Sequence, residues 1–317
     1  MSDPRAQRRA LAALITGAAC IGFAPLWVRW SEVGLVATAF YRVALALPFA
    51  AWIAARERLH PAAAGLEPGR RRLWLLAAGL LLAADLAAWH WSIRLTSVAN
   101  ATLLANFAPV FVTLGAWWLL RERPGGGFFA GMALALAGAW LLTGASPGLA
   151  GPHAAGDALG LLTAVFYGGY QLCVARLRRG LGPGRILAWS CAACAPWLLS
   201  LALATGETIL PATARGWGVV FGLALTAHVL GQGLITYGFA HLPASFSSLT
   251  LLLQPVVAAL AGWWLLGERL TRWQAAGGAV VLAGLWVARA GRRGEAPNPR
   301  LQVPGKLQQP GSKGGAA

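Results

Sequence analysis

Acidic residues are scarce in this chain: there are 10 Asp and Glu in 317 residues, against 26 Lys and Arg, and charged residues make up only 11% of the whole. An ordinary soluble domain carries roughly 25% charged residues, so water is not the main solvent of this protein. Cysteine is equally rare. Cys20, Cys173, Cys191 and Cys194 all lie inside apolar runs, which excludes a disulfide framework. Cys191 and Cys194 form a C-x-x-C without a preceding strand or a second cysteine pair, and read as small apolar packing groups. The chain has no H-E-x-x-H, no cysteine or histidine cluster at metal spacing and no phosphate-cradling glycine loop. No metal, cofactor or ATP-driven chemistry is therefore expected. The formal charge of +16 would suggest a nucleic-acid partner if it covered one polar face. Here the basic residues sit in short clusters between apolar runs, so no nucleic acid is expected.

What the chain has in abundance is apolar sequence, 57% of its residues. Ten apolar segments approach or reach the 20 or so residues that a spanning helix needs. They fall near 10–28, 34–55, 73–93, 98–120, 126–145, 156–175, 186–205, 216–239, 245–266 and 273–290. The expectation is an all-α integral membrane protein with ten transmembrane helices. Residues 1–9 precede the first helix, which is read as retained rather than as a cleaved signal. Residues 291–317, rich in Gly, Pro and polar groups, read as a disordered tail. Loops retained in the cytoplasm carry the excess of Lys and Arg. An inside N-terminus places 17 arginines on inner loops, among them Arg56, Arg70 to Arg72, Arg121, Arg123, Arg178 and Arg185, and five on outer ones: Arg29, Arg94, Arg215, Arg269 and Arg272. The expected location is a bacterial-type inner membrane, with both termini cytoplasmic. The rule fits the last third of the chain less well, because both Arg269 and Arg272 fall outside.

The stretch "WWLLRER" at 117–123 returns 146 residues later as "WWLLGER" at 263–269. Over 108–142 and its shifted copy, 16 of 35 pairs are identical without a gap, including Pro109 with Pro255, Glu122 with Glu268, Gly131 with Gly277 and Gly138 with Gly284. The same shift lays the first helix on the sixth. The duplicated unit therefore has five helices, 10–145 and 156–290, and an odd unit enters the membrane the second time upside down. Inverted repeats of this kind are an architecture of secondary transporters. The pattern, with "ANATLLANFAPVFVTLGAWWLLRER" at 99–123 and its copy at 245–269, resembles the EamA-type members of the drug/metabolite transporter superfamily. That resemblance implies a ten-helix inner-membrane carrier, usually an exporter of small metabolites such as amino acids.

Polar groups inside the spans mark the candidate site, since a charge at the bilayer centre costs at least about 2.5–3.5 kcal/mol on insertion scales. Two formal charges lie well inside, Arg42 and Asp85. Counted at about 1.5 Å per residue, both fall roughly 12 Å from the outer helix ends, at one level with Asn106. One reading is a buried ion pair that sets how the second and third helices pack. The other is a site in which Arg42 holds a substrate carboxylate and Asp85 exchanges a proton. His90 and His228 are either further site groups or hydrogen-bonded core residues. His90 is about 140° around the helix from Asp85, too far for a direct pair. Asn100, Gln232, Gln254, Tyr170 and Gln171 must face a partner helix or a cavity, because lipid tolerates none of them cheaply. Pro109 and Pro255 are candidate kinks or hinges, and Gly127 and Gly131 candidates for close helix contact. Trp197 lies deeper than the other tryptophans and is read as packing or cavity wall. The expected partners are a small-molecule substrate, membrane lipids and a coupling proton; the oligomeric state is left open. Two other functions each have a feature in their favour. "GASPG" at 144–148 matches the G-x-S-x-G of serine hydrolases around Ser146, though no strand precedes it. A lipid-handling or scaffold protein of the same fold is the second.

Overall fold

The computed structural model describes residues 4–57, 67–144 and 153–291. The tail expected at 291–317 and the G-x-S-x-G serine, Ser146, fall almost wholly outside these ranges. Helices are the regular structure throughout the described residues. Nine are long and apolar enough to cross a membrane: α1 (Arg5–Trp30), α2 (Leu35–Arg56), α3 (Pro68–Leu95), α4 (Ala99–Leu120), α5 (Gly126–Thr143), α6 (Ala154–Leu177), α7 (Pro183–Ala204), α8 (Ala214–Gly238) and α9 (Ala244–Leu266). A further helix, α10 (Arg272–Gly291), has 20 residues. Its Arg272, Gln274 and Arg289 dilute its apolar character, which keeps it out of the spanning set by composition. Large apolar side chains lie on the outer surface, Trp118 at 82% and Trp264 at 75% exposure among them, as a lipid-facing surface requires. Trp197 belongs there too, at 62% exposure. It neither packs in the core nor lines a cavity, which corrects both sequence readings of it.

Local chemistry sets the helix ends. Proline occupies the first turn of α3 and of α7, where its missing N–H is no loss. The Ser97 hydroxyl accepts from the Asn100 amide at the start of α4, and Thr213 does the same for Gly216 at α8. The repeated Trp-Trp phrase ends both α4 and α9 in one way. Arg121 and Gly267 take left-handed φ values of 57° and 67°. The next amides, of Glu122 and Glu268, then bond back to the Ala116 and Gly262 carbonyls at 3.0 and 3.2 Å. Within these helices the chain breaks for two residues, at Asn106–Phe107 and at Leu251–Leu252. Each break lies just before Pro109 or Pro255, because a proline removes one helical bond and crowds the carbonyl four residues earlier.

α5 and α10 make the most extensive contact in the bundle. A Cβ added at Gly131 would lie 2.5 Å from the Gly284 carbonyl, and one at Gly138 would lie 2.8 Å from that of Gly277. Number rises along α5 as it falls along α10, so the two helices run antiparallel. Glycine at these positions lets the backbones touch. Elsewhere α3 packs on α6 and α1 on α8, α4 on α6 and α1 on α9, and α2 on α7. Replacing both members of each contact by their counterparts 146 residues away returns a contact of the same set. Polar contacts define two faces. Arg29, Glu32, Arg94, Glu207 and Glu268 gather on one, and Glu57, Glu122 and Arg178 on the other.

Candidate functional site

α1, α2, α3, α4, α6, α8 and α9 enclose a cavity of about 180 Å³, displaced toward the Glu32 face. An ordered water takes roughly 10–15 Å³ of such space, so the cavity admits a solute of about a dozen heavy atoms. Its wall is apolar at Ile21, Pro25, Val28, Leu82, Leu86, Trp89 and Leu223. The polar part of the same wall consists of Arg42, Asp85, His90, Asn106, Tyr167, Gln232 and Gln254, with Thr38, Thr102 and Thr163.

The helix breaks supply part of this wall. Asn106 occupies the break in α4, and its own amide still bonds to the Thr102 and Leu103 carbonyls, so its side chain is held at the mouth of the interruption. Gln254 and Pro255 follow the break in α9 and line the same cavity. Three nitrogens on cavity residues, Arg42 Nε, Asn106 Nδ2 and Gln254 Nε2, are buried without a close hydrogen-bond partner in the protein, the Gln254 amide lying near the Tyr167 hydroxyl. Leaving a donor buried and unpaired costs about 1–3 kcal/mol, so three around one cavity call for an acceptor. Asp85 is the acidic residue on that wall.

Arg42 and Asp85 sense each other electrostatically, yet they form no direct ion pair; both are turned to the cavity. The reading of a bonded pair that locks α2 to α3 is therefore replaced by two charges flanking a shared space. His90 also lines the cavity without touching Asp85. Its Nδ1 faces the Leu86 carbonyl and its ring meets Trp89 edge-on at 5.1 Å between centroids. A carbonyl only accepts, so Nδ1 carries the proton and Nε2 of the neutral ring is left as an acceptor.

Five of the residues singled out from sequence lie off the cavity wall. Tyr170 and Gln171 are buried beyond it toward the Glu57 face, Tyr170 stacked on Tyr167 at 6.2 Å. His228 is buried with Nε2 3.2 Å from Cys191 Sγ. Pro109 is buried in α4 below the break. Asn100 belongs to a separate cluster in which its side-chain amide and the Thr96 hydroxyl donate to Asp157, at 3.1 and 2.6 Å. Sequence reasoning missed Tyr167, Thr38, Thr102 and Thr163. The signal for Tyr167 was its place one helical turn before Tyr170.

A membrane-spanning helical bundle around a polar-walled cavity of solute size is the construction of a transporter. The chain belongs to the EamA-like transporter family, whose model matches residues 8–144 and again 154–290. It is similar to the pseudopaline exporter CntI of Pseudomonas aeruginosa, at 26% identity over 208 residues covering 66% of this chain and 72% of that one. It is also similar to the uncharacterized transporter YwfM of Bacillus subtilis, at 28% identity over 203 residues, 64% of this chain and 68% of the relative. An uncharacterized transporter of Archaeoglobus fulgidus matches at 26% over 225 residues, 70% of this chain and 78% of the other. A solved crystal structure shares the fold with a TM-score of 0.74 and 20% identity, covering 90% of this chain and 99% of its own. The protein is thus a multi-pass membrane transporter.

Proposed function

We propose that this transporter exports small carboxylate-bearing, amino-acid-like metabolites by alternating access, with ten spanning helices arranged as two inverted five-helix halves. The observation that carries the reading is the trio of unpartnered buried donors, Arg42 Nε, Asn106 Nδ2 and Gln254 Nε2, around one cavity. The planar guanidinium suits a carboxylate, the two amides add directional donors, and the apolar lining residues accept an aliphatic or aromatic body. Asp85 is the group that receives the substrate's ammonium and, in exchange for it, a proton. The printed name of the Pseudomonas relative supports export as the direction.

The inverted arrangement is supported by the α5 and α10 crossing. The shift of 146 turns the Gly131 and Gly284 contact into that of Gly277 and Gly138, and the Gly131 and Ala288 contact into that of Gly277 and Leu142. Two helices that exchange by the repeat and run antiparallel are related by an axis lying across them, in the membrane plane. In this reading the arginine-rich Glu57 face is cytoplasmic, both termini with it, and the membrane is a bacterial inner membrane.

Binding tests the site without prejudice to direction. Purified protein should melt higher with free amino acids than with their amides or with amines alone, because a ligand of the native state raises its stability. Each donor removed by Arg42→Gln, Asn106→Ala or Gln254→Ala should weaken the response. A hydrogen bond to a charged group contributes about 1.5–3 kcal/mol, which is roughly 10- to 100-fold in affinity. A panel in which amides and acids stabilise equally contradicts the carboxylate reading.

A further inference from the structure

Four glutamates near the helix ends form two pairs across the halves: the shift of 146 carries Glu122 onto Glu268, and Glu57 to within four residues of Glu207. Glu57, after α2, accepts from the Gly184 and Arg185 amides at the start of α7, at 2.6 and 3.1 Å. Glu207, after α7, accepts from the Ala37 amide in the first turn of α2 at 2.9 Å. α2 and α7 are counterparts in the two halves, so this pair clamps both faces of the bundle alike.

The second pair belongs to the repeated phrase, and here the two halves differ. Glu122, after α4, is buried and accepts from the Ala244 amide at 2.8 Å, the Ser245 amide at 3.1 Å and the Ser245 hydroxyl at 2.8 Å, all at the start of α9. The repeat predicts that Glu268 should hold the amides of Val98 and Ala99 at the start of α4. Instead the Glu268 carboxylate pairs with Arg29, with its side chain 50% exposed.

The stretches beside the two glutamates differ in the same sense. Ala244 to Thr250 are all buried next to Glu122. The hydroxyls of Ser247 and Ser248 in that stretch are shut in without partners. The counterpart of that stretch, 98–104 at the start of α4, reaches the cavity with Thr102, and Asn106 follows two residues beyond it. Packing alone would place apolar side chains at the closed end, since each unpaired polar group destabilises it. A sealed layer of hydroxyls instead fits a path that is wetted in another state.

From this asymmetry we infer that Glu122 and Glu268 are alternating latches: Glu122 holds α9 to close the Glu57 face while the cavity serves the Glu32 face, and in the opposite state Glu268 leaves Arg29 to hold the start of α4. The inference rests on the alternating-access reading above. Arg29 is the competitor that keeps Glu268 disengaged in the present state, and the hydroxyls of Ser247 and Ser248 lie on the path that opens when Glu122 lets go.

The test reads conformation directly, in the full-length chain with its four cysteines replaced. A single cysteine is introduced as Ser248→Cys on the sealed path or as Thr102→Cys on the cavity side. A membrane-impermeant maleimide is applied to vesicles of each orientation. In the parent, Thr102→Cys should react from one side and Ser248→Cys from neither. Adding Glu122→Ala should raise Ser248→Cys labelling by about tenfold, the factor that 1.4 kcal/mol gives, and lower Thr102→Cys labelling. Adding Glu268→Ala should leave Ser248→Cys protected. Should Glu122→Ala fail to fold, Ser245→Ala removes one of the three bonds and should give a smaller shift of the same sign. The inference is overturned if neither variant at the Glu122 contact exposes Ser248→Cys, or if Glu268→Ala exposes it equally. Labelling needs no substrate, so a protein that moves no carboxylate yet shows these shifts would refute the substrate reading and leave the latch standing.

Discussion

Gly138→Ala is the sharpest structural perturbation available at the crossing of α5 and α10. The added methyl carbon would lie 2.5 Å from the Val281 nitrogen and 2.8 Å from the Gly277 carbonyl oxygen, where ordinary contact starts near 3.4 Å. Both neighbours are backbone, so no side chain can turn away and the helices themselves must part by about 1 Å; a gap of 0.5–1 Å already forfeits between a quarter and a half of each dispersion contact along the crossing. Overpacking of this kind costs about 1–3 kcal/mol. The greater helix propensity of alanine returns at most about 1 kcal/mol. Gly233→Ala in α8 is the control, since nothing lies within 4 Å of its added carbon and only the propensity gain applies. In detergent, Gly138→Ala should melt below the parent and Gly233→Ala at or above it, with the two separated by about 1–3 kcal/mol. That is several degrees for a chain of this size, at about 2–4 °C per kcal/mol. Gly277→Ala, the counterpart across the crossing, should behave like Gly138→Ala. The close-contact argument is refuted if Gly138→Ala and Gly233→Ala melt together.

Two further outcomes follow from loops and helix ends. Arg121 sits in the left-handed region at φ 57° where its repeat counterpart is glycine. R121G should therefore stabilise by about 1 kcal/mol, the lower end of what that conformation costs a side-chain-bearing residue, and an unchanged melting temperature would contradict this. The Glu32 carboxyl is held below the usual glutamate range, chiefly by the Thr213 hydroxyl and then by the Thr213 and Ala212 amides, against an opposing effect of desolvation. A lowered carboxyl pKa contributes stability above the ordinary value of about 4.3 and loses it as pH falls through the lowered one. Hydrogen exchange at the Ala212 and Thr213 amides, corrected for its intrinsic pH dependence, should accelerate in that acid window. Glu32→Gln should remove the pH dependence, and its persistence in that variant would contradict the assignment.

The sequence made the apolar spans and their chemistry easy to read, because apolar length is a direct consequence of bilayer thickness. Position along a helix axis was equally legible: a rise of about 1.5 Å per residue put Arg42, Asp85 and Asn106 at one depth, and all three line one cavity. Rotation about the axis was not. Tyr167 and Tyr170 are one turn apart, yet Tyr167 lines the cavity and Tyr170 lies beyond it, which only the packing of α6 against its neighbours decides. The Asn106 and Gln254 side chains gain their places from helix breaks that a proline two to four residues along could only suggest. The glutamate caps were invisible for a different reason. Each joins residues more than 120 positions apart, as Glu122 and Ala244 do, and no local pattern announces the partner.

The central claim is that the Arg42, Asp85, Asn106 and Gln254 cavity moves a carboxylate-bearing solute across the membrane. It is tested most directly by efflux and uptake of a pool of labelled amino acids and related metabolites in proteoliposomes, with and without an imposed pH gradient. Wild type should carry at least one member of the pool, faster with the gradient. Arg42→Gln should lose that transport and Asp85→Asn its dependence on the gradient, while both variants elute as folded protein. Normal, gradient-dependent transport by both variants would contradict the account.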